Sequence, residues 1–375
     1  MTTDTFSRFH QLLNRARCAP LSQTQGYCSA PSNIALIKYW GKEPLYLQIP
    51  LNSSISFTLG GFRSYTVVHP TPEPGIHFSL NGHRAVLPER MQTVLTKILQ
   101  GLGQKTALCI NSTGNFPVAC GIASSASGGA ALIGALSDSF HLAEVFSPEE
   151  YTLWLTEGAR LLSGSATRSV LPAAFVLWER LLEHPITQTH SIEAHRDFQN
   201  LEHGVVVISS QEKAVSSSQG HMSAITSPLF PLRHAALPRI LEEIKDALYK
   251  GDWQTLTHHA ERDAFAMHAV MQTMQEPVCY LLPQTNSFLN FFIRQRDQHA
   301  IRAFWTLDAG PNIHLLFHKE DFGRVEDILQ TIARTLNIPL TVYFNKTHAP
   351  IAIGADQIAA LPDTLIQEKV IMLRR

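Results

Sequence analysis

Apolar residues recur at helical spacing at Met91, Val94, Leu95, Ile98, Leu99 and Leu102, which predicts an amphipathic helix over Glu89–Leu102. Just upstream, Ile76–Leu80 and His83–Leu87 flank the pair Asn81-Gly82, and this predicts a β-hairpin over Gly75–Leu87. Thr106–Ile110 reads as a strand that feeds a glycine- and serine-rich stretch. Ser147-Pro148-Glu149-Glu150 has capping-box spacing with proline at the first helical position, so a helix should run from there to about Leu162. At the N-terminus Phe6, Phe9, Leu12, Leu13 and Ala16 share one helical face, with Arg8, Arg15 and Arg17 nearby. That segment faintly resembles a mitochondrial presequence, but it reads better as a helix docked ahead of the first domain or as a frayed terminus.

Near residue 200 the pattern changes, from the polar stretch 193–203 to the β-branched run 204–209. A domain boundary is expected there, giving an N-terminal extension at 1–24, a first domain at 25–200 and a second at 201–375. In the second half the pattern predicts helices near 235–249, 252–272 and 319–335, and strands near 302–307, 312–318 and 340–345. Interleaved in this way, they suggest an α+β layer with helices on one face of a sheet. No repeat or low-complexity tract interrupts the chain.

The stretch 114–136 sets glycines and the hydroxyls of Ser124, Ser125 and Ser127 directly before a run of small helix formers. This is how a phosphate cradle is built: glycine admits close approach of the backbone, and a helix N-terminus presents unpaired N–H groups. A buried helix packed through small residues is the alternative. No charged residue lies between Lys105 and Asp138, yet Asn111, Asn115, Pro117 and the serines make the stretch a poor membrane span.

Of the 375 residues 45% are hydrophobic and 16% charged, enough apolar material for a substantial core. A net charge of -1 argues against broad attraction to nucleic acid or to an anionic membrane. Five scattered cysteines without CxxC spacing argue against a disulfide framework or a structural zinc site, and a reducing cytoplasm is the simplest location.

Several constellations are candidates for chemistry. His258, His259, Glu261, Asp263 and His268 crowd one helix without HExxH spacing; pairing of His258 with Arg262 and of His259 with Asp263 is favoured over a zinc site. Ser216-Ser217-Ser218-Gln219-Gly220 lacks the elbow pattern of a serine nucleophile and reads as a polar loop able to touch a phosphate. In PSNIALIKYWGK (31–42) an apolar strand delivers Lys38, Tyr39 and Lys42 to a loop around Gly41, which suits a highly charged anion, although lysines at strand ends are often simply solvated. SGSATR (163–168) presents hydroxyls and one guanidinium, whose planar fork matches a carboxylate or phosphate. TLDAGPN (306–312) ends a strand with Asp308 in a glycine and proline turn, a place that turn formation alone would also explain.

In this order, IALIKYWGK, IPLNSS, GNFPVACGIASSASGG, SGSATRS, AVSSSQG and TLDAGPN closely resemble the diphosphomevalonate decarboxylase family of the GHMP kinase superfamily, from about residue 28 to 318. The resemblance implies a two-domain α+β fold, with an N-terminal domain like the second domain of ribosomal protein S5 and a ferredoxin-like C-terminal domain. It implies ATP and Mg2+, and conversion of (R)-5-diphosphomevalonate to isopentenyl diphosphate, CO2, ADP and phosphate.

Carried over residue by residue, it makes Asp308 the group beside the 3-hydroxyl, Arg168 the grip on the substrate carboxylate, and Lys38 a stabiliser of charge near the reacting atoms, with Asn33 in support. The substrate would be held by Tyr39, Trp40, Gly41, Lys42, Arg90, Ser163, Gly164, Ser165, Ala166, Thr167 and Ser218. ATP would lie over Gly121, Ile122, Ala123, Ser124, Ser125, Ala126, Ser127 and Gly128, with Ser125 able to assist catalysis and metal placement. A homodimer is usual in such a family, and no nucleic-acid or membrane partner is implied.

The chain departs from the family pattern in places. Glu43-Pro44 replaces an Arg-Asp pair, and Thr167 replaces a cysteine. Pro172-Ala173-Ala174 replaces a glycine pair with one extra residue, and a residue is added at His221. A 5-phosphomevalonate decarboxylase, a mevalonate 3-kinase and a catalytically silent paralogue therefore stay open as alternatives.

Overall fold

The structure is a computed structural model that describes residues 7–371 apart from 20, 22, 45–47, 106, 117–123, 182–185, 212–216 and 346–347. Its first sheet contains β1 (Gly26–Ile37), β2 (Ser54–Pro70), β3 (Gly75–Leu80), β4 (His83–Ala85) and β5 (Ala107–Gly114), in the order β1-β2-β5-β3-β4. β6 (Phe175–Arg180) and β7 (Thr187–Ile192) extend this sheet as a hairpin paired with the start of β2. The expected hairpin is β3-β4, where Asn81 and Gly82 both take positive φ, 52° and 81°, as a primed turn requires.

The second sheet is antiparallel. β8 (Leu201–Val207), β9 (Ala303–Leu307), β10 (Ile313–His318) and β11 (Leu340–Asn345) come first along the chain. The C-terminal segment then returns to the first sheet, where β12 (Ala352–Ile353) pairs with β1, before β13 (Ile366–Ile371) closes the second in the order β13-β11-β8-β10-β9. Buried Arg63 of β2 binds this returning segment: its guanidinium donates to the carbonyls of Gly60, Ala349, Pro350 and Ser29 and to the Ser29 hydroxyl.

One face of the first sheet is covered by the helices Ser7–Arg17, Glu89–Gly101, Ser124–Ser139 and Pro148–Leu162. Of the docked and frayed readings, the N-terminal helix takes the docked one, with Phe9 stacked on Trp154 at 4.8 Å. Ser147 caps the helix Pro148–Leu162 with the reciprocal Glu150 bond of a capping box. Close packing of Ser124–Ser139 depends on its small residues; a Cβ at Gly134 would sit 2.4 Å from the Cys28 sulfur.

The second sheet is buried on both faces, not on one as the pattern suggested. Val206, Trp305, Leu315 and Phe317 pack against the helices Pro283–Gln298 and Phe322–Leu336. Their neighbours Val205, Phe304 and Leu316 face the other way, against the helices Phe230–Lys250 and Trp253–Gln272 and residues Ile34, Phe57 and Phe175 of the first sheet. The two sheets thus share one apolar core, which fixes their relative position and sets the ends of β1 and β9 side by side. No helix among the described residues is long and apolar enough to cross a membrane.

Candidate active site

Lys38 follows the last residue of β1 and is buried, its side chain only 2% exposed. A register shift against β2 at Ala35/Ile37 ends the regular ladder there, and the Ala35 carbonyl accepts from Lys38 Nζ at 2.6 Å and from Thr306 Oγ1 of the second sheet at 3.3 Å. Lys38 Nζ also donates to Asp308 Oδ1 at 3.1 Å. Burial pulls the ammonium below its ordinary pKa, and the Asp308 carboxylate opposes that pull.

The Lys38 peptide is held as firmly as its side chain. Its N–H donates to Asp263 Oδ2 at 2.7 Å, and its carbonyl accepts from Arg233 Nη2 at 2.8 Å and Asn52 Nδ2 at 2.9 Å. Arg233 and Asp263 pair with each other through two bonds, of 2.9 and 3.0 Å, with both side chains almost fully buried.

Arg168 enters from the 3-10 helix Gly164–Ser169, and its guanidinium is buried. It donates to Ser54 Oγ at 2.5 Å and, through Nε and Nη2, to Asn33 Oδ1 at 3.3 and 3.2 Å, with its carbon 5.9 Å from the Trp178 ring centroid. Asn33 Nδ2 in turn donates to Ser169 Oγ at 2.7 Å and the Ser165 carbonyl at 3.2 Å. Burial lowers the Arg168 pKa to about 10, against the opposing pull of Asp308 and Tyr39, and the group stays charged at neutral pH. Tyr39 is held well above the usual phenol range by burial and is therefore a hydrogen-bond donor, with its ring edge-on to Trp178 at 4.9 Å. Lys42 is drawn down by burial and by nearby Arg90. A carboxylate and an ammonium in contact, beside a guanidinium, can take a proton from a hydroxyl and stabilise developing negative charge.

The other expected site residues have structural partners of their own. Trp40 is buried in a cluster with Phe230, Met267 and Met271, so it packs the end of β1 against the helices Phe230–Lys250 and Trp253–Gln272 and does not line an open surface. Arg90 donates from Nη1 and Nη2 to the carbonyls of Leu161 and Leu162, both at 2.6 Å, and so caps a helix end. Thr167 shares a 2.7 Å bond with Thr189, and Gly164 and Ala166 are buried, while Ser163 and Ser165 are half-buried.

Ser124 and Ser125 are exposed in the first turn of the helix Ser124–Ser139. Ala126 is buried, and Ser127 turns inward to Ser64 Oγ at 2.7 Å and the Ser124 carbonyl at 3.1 Å; Gly128 is half-buried. Gly121, Ile122 and Ala123 lie outside the described residues, as does the Ser218 side chain.

The histidine-rich helix disperses its polar groups. His258 accepts from Arg262 at 3.4 Å, but His259 pairs with Glu243 at 2.7 Å, not with Asp263. Glu261 pairs with Arg296, and His268 Nε2 donates to the Asp308 carbonyl at 3.1 Å. Apart from the edge contact of the adjacent His258 and His259 rings at 5.1 Å, each side chain answers a different neighbour. Local spacing therefore missed the buried pairing of Asp263 and Arg233; the one signal was an aspartate on the apolar face with Ala260, Ala264 and Met267.

The model of the family "Diphosphomevalonate decarboxylase-like N-terminal domain" matches residues 30–191, and that of "Mevalonate 5-diphosphate decarboxylase C-terminal domain" matches residues 204–370. A diphosphomevalonate decarboxylase of Candida albicans is 31% identical over 320 residues, covering 80% of this chain and 86% of that protein. This chain belongs to the diphosphomevalonate decarboxylase family.

The mevalonate diphosphate decarboxylase of Staphylococcus aureus superposes with a TM-score of 0.79 at 28% identity, over 88% of this chain and 98% of that one. A solved complex of MDDEF with MVAPP, AMPPCP and magnesium gives a TM-score of 0.74 at 26% identity, over 93% and 99% of the two chains. The two-domain α+β fold of GHMP kinases follows.

Against the family pattern, Glu43 is paired with Arg180 at 2.6 Å, and Arg180 also donates to the Pro50 carbonyl at 3.0 Å. That ties the segment after Lys42 to β6. Pro172 is exposed, and the Ala173 carbonyl accepts from Thr58 Oγ1 at 2.7 Å, so the longer Pro172–Ala174 turn is anchored on β2. His221 does not bulge outward. It lies in the helix Ser217–Ser223, with its ring against Tyr39 and Trp40.

Proposed function

We propose that the protein catalyses the ATP-dependent decarboxylation of (R)-5-diphosphomevalonate to isopentenyl diphosphate, with release of CO2, ADP and phosphate. The observation that carries this reading is the 3.1 Å contact of Asp308 with buried Lys38, beside buried Arg168.

A tertiary 3-hydroxy acid loses CO2 slowly, because hydroxide leaves poorly, whereas phosphate leaves well. Asp308 accepts the proton of the substrate 3-hydroxyl, which then attacks the γ-phosphorus. Lys38 keeps Asp308 ionised and offers positive charge to the reacting oxygens. Arg168, oriented by Asn33 and Ser54, holds the C1 carboxylate so that the C–C bond that breaks is aligned with the departing phosphate. Tyr39 and Lys42 meet the diphosphate end, joined by the loop around Ser163 and Ser165 and by Ser218.

The helix Ser124–Ser139 has no acidic residue in its first turn, and its exposed Ser124 and Ser125 hydroxyls fit nucleotide phosphates and magnesium. Bound ATP supplies the phosphoryl group, and Mg2+ neutralises charge on its oxygens. In keeping with the family, a cytoplasmic homodimer is the assembly we assign.

Incubation with diphosphomevalonate, ATP and Mg2+ should release ADP and CO2 in equal amounts. ADP without CO2 would identify a 3-kinase, preference for 5-phosphomevalonate a monophosphate decarboxylase, and neither product a silent scaffold.

A further inference from the structure

His221, in the helix Ser217–Ser223, packs its ring onto the loop that follows β1. Its imidazole lies between Tyr39, with centroids 4.2 Å apart and planes 32° apart, and Trp40, at 4.5 Å and 36°. Nδ1 accepts the Gly41 N–H at 3.1 Å. That bond settles the tautomer, since an accepting Nδ1 leaves the proton on Nε2. Gly41 has φ +97°, so the loop from Tyr39 to Lys42 is held in a left-handed turn at the atom that His221 engages.

The helix carrying His221 presses on the same loop. A Cβ at Gly220 would come within 2.7 Å of the Trp40 ring, so this position needs glycine. Packing alone would be served by a phenylalanine, yet the Nδ1 atom is engaged in a hydrogen bond. Among the described residues, Nδ1 is engaged and nothing accepts from Nε2–H. Burial, Lys42 and Arg168 keep the ring neutral, at about 3, against the opposing pull of Asp308. The imidazole therefore sits among two cations and one carboxylate, where an anionic ligand would be attracted and a neutral N–H could donate to it.

We propose that His221 is a ligand for the phosphate end of the substrate: its Nδ1 fixes the Tyr39–Lys42 loop, and its Nε2–H donates to a phosphate oxygen beside Tyr39 and Lys42. This rests on the reaction proposed above and adds to it a residue that sets affinity for the substrate's anionic end.

Three variants test it. His221→Asn keeps an acceptor near Nδ1 but loses the distal donor; His221→Phe keeps the stacked ring but loses both nitrogens; His221→Gln places an amide N–H near Nε2. The Asn and Phe variants should raise KM for diphosphomevalonate about tenfold, the worth of one hydrogen bond to a charged group. Their kcat and their KM for ATP should stay within about twofold, and the Gln variant should recover to within about threefold of the parent protein. An unchanged substrate KM in the Asn and Phe variants, or equal losses in kcat and both KM values, overturns the proposal in favour of packing.

Turnover of the unaltered protein is measured first, so that failure of the reaction itself is seen separately. If it releases no CO2, inorganic pyrophosphate is titrated calorimetrically into the parent protein and His221→Asn. About tenfold weaker binding by the variant supports the proposal. Equal affinity, or binding to neither, overturns it.

Discussion

Asp308→Asn separates the chemical role of the carboxylate from its place in the fold. Two unit charges 3.1 Å apart interact by about 5 kcal/mol at an effective dielectric constant of 20. The Asp308 side chain is 25% exposed, so solvent screening reduces this to roughly 2–3 kcal/mol. Asparagine still offers Lys38 Nζ an oxygen, and the loss of folding stability should be about 1–3 kcal/mol. Turnover loses its general base, which costs on the order of a thousandfold in kcat, or about 4 kcal/mol in the barrier. KM for diphosphomevalonate should change by no more than about threefold, because Arg168, Tyr39 and Lys42 are untouched.

The same substitution moves a titration. Burial already holds the Lys38 pKa below that of the unfolded chain, and removing Asp308 takes away its strongest support. Between those two values the folded protein binds fewer protons than the unfolded chain, so its stability rises with pH. In the variant that rise should begin at a lower pH. Coupled ADP and CO2 release with urea unfolding at several pH values measures both effects. A kcat within tenfold of the parent protein, in a folded variant, would refute the assignment of Asp308 as the base.

Arg233→Met leaves the Asp263 carboxylate buried without its partner and should cost about 3–5 kcal/mol of stability, read by urea unfolding. Adding Asp263→Leu should restore most of that stability, while kcat stays low because the Lys38 peptide has lost two of its partners. Burial pushes the Glu261 carboxyl up to about 7 despite its pairing with Arg296. The folded protein then keeps a proton that the unfolded chain has lost, so this contribution to stability falls as pH rises from about 4.5 to 7; Glu261→Gln should flatten that slope in unfolding midpoints.

Elements whose cause is local were legible from the sequence. Asn81-Gly82 alone dictates a primed turn, Ser147 and Glu150 alone make a capping box, and Glu89–Gly101 carries its buried stripe at helical spacing. Elements whose cause is distant were not. The long β2 and the β6-β7 hairpin owe their form to pairing across the chain, and the return of β12 to β1 depends on buried Arg63, which no spacing announces. Leu315, Leu316 and Phe317 look like one apolar run, because the strand is covered on both faces by different layers.

The site divides in the same way. Lys38, Arg168 and Asp308 stood out through resemblance to a family, but only the fold reveals what aims them. Ser127 looked equivalent to Ser124 and Ser125 in the serine-rich stretch, yet the helix turns it inward to Ser64. His221 was visible as an added residue; its insertion between Tyr39 and Trp40 was not, since the contact joins positions 180 residues apart.

Lys38 is bound by both halves of the molecule, and this constrains how the reaction can be tuned. Its carbonyl takes a bond from Asn52 of the first sheet's connection and another from Arg233 of the second half; its N–H goes to Asp263, and its ammonium spans Ala35 and Asp308. A rotation of one half against the other would have to break buried charge-assisted bonds at the peptide before it could change the distance from Nζ to Asp308. The lysine–aspartate geometry is therefore a property of the domain interface. Variants that loosen the Arg233–Asp263 pair should lower kcat even where Lys38, Arg168 and Asp308 are all intact.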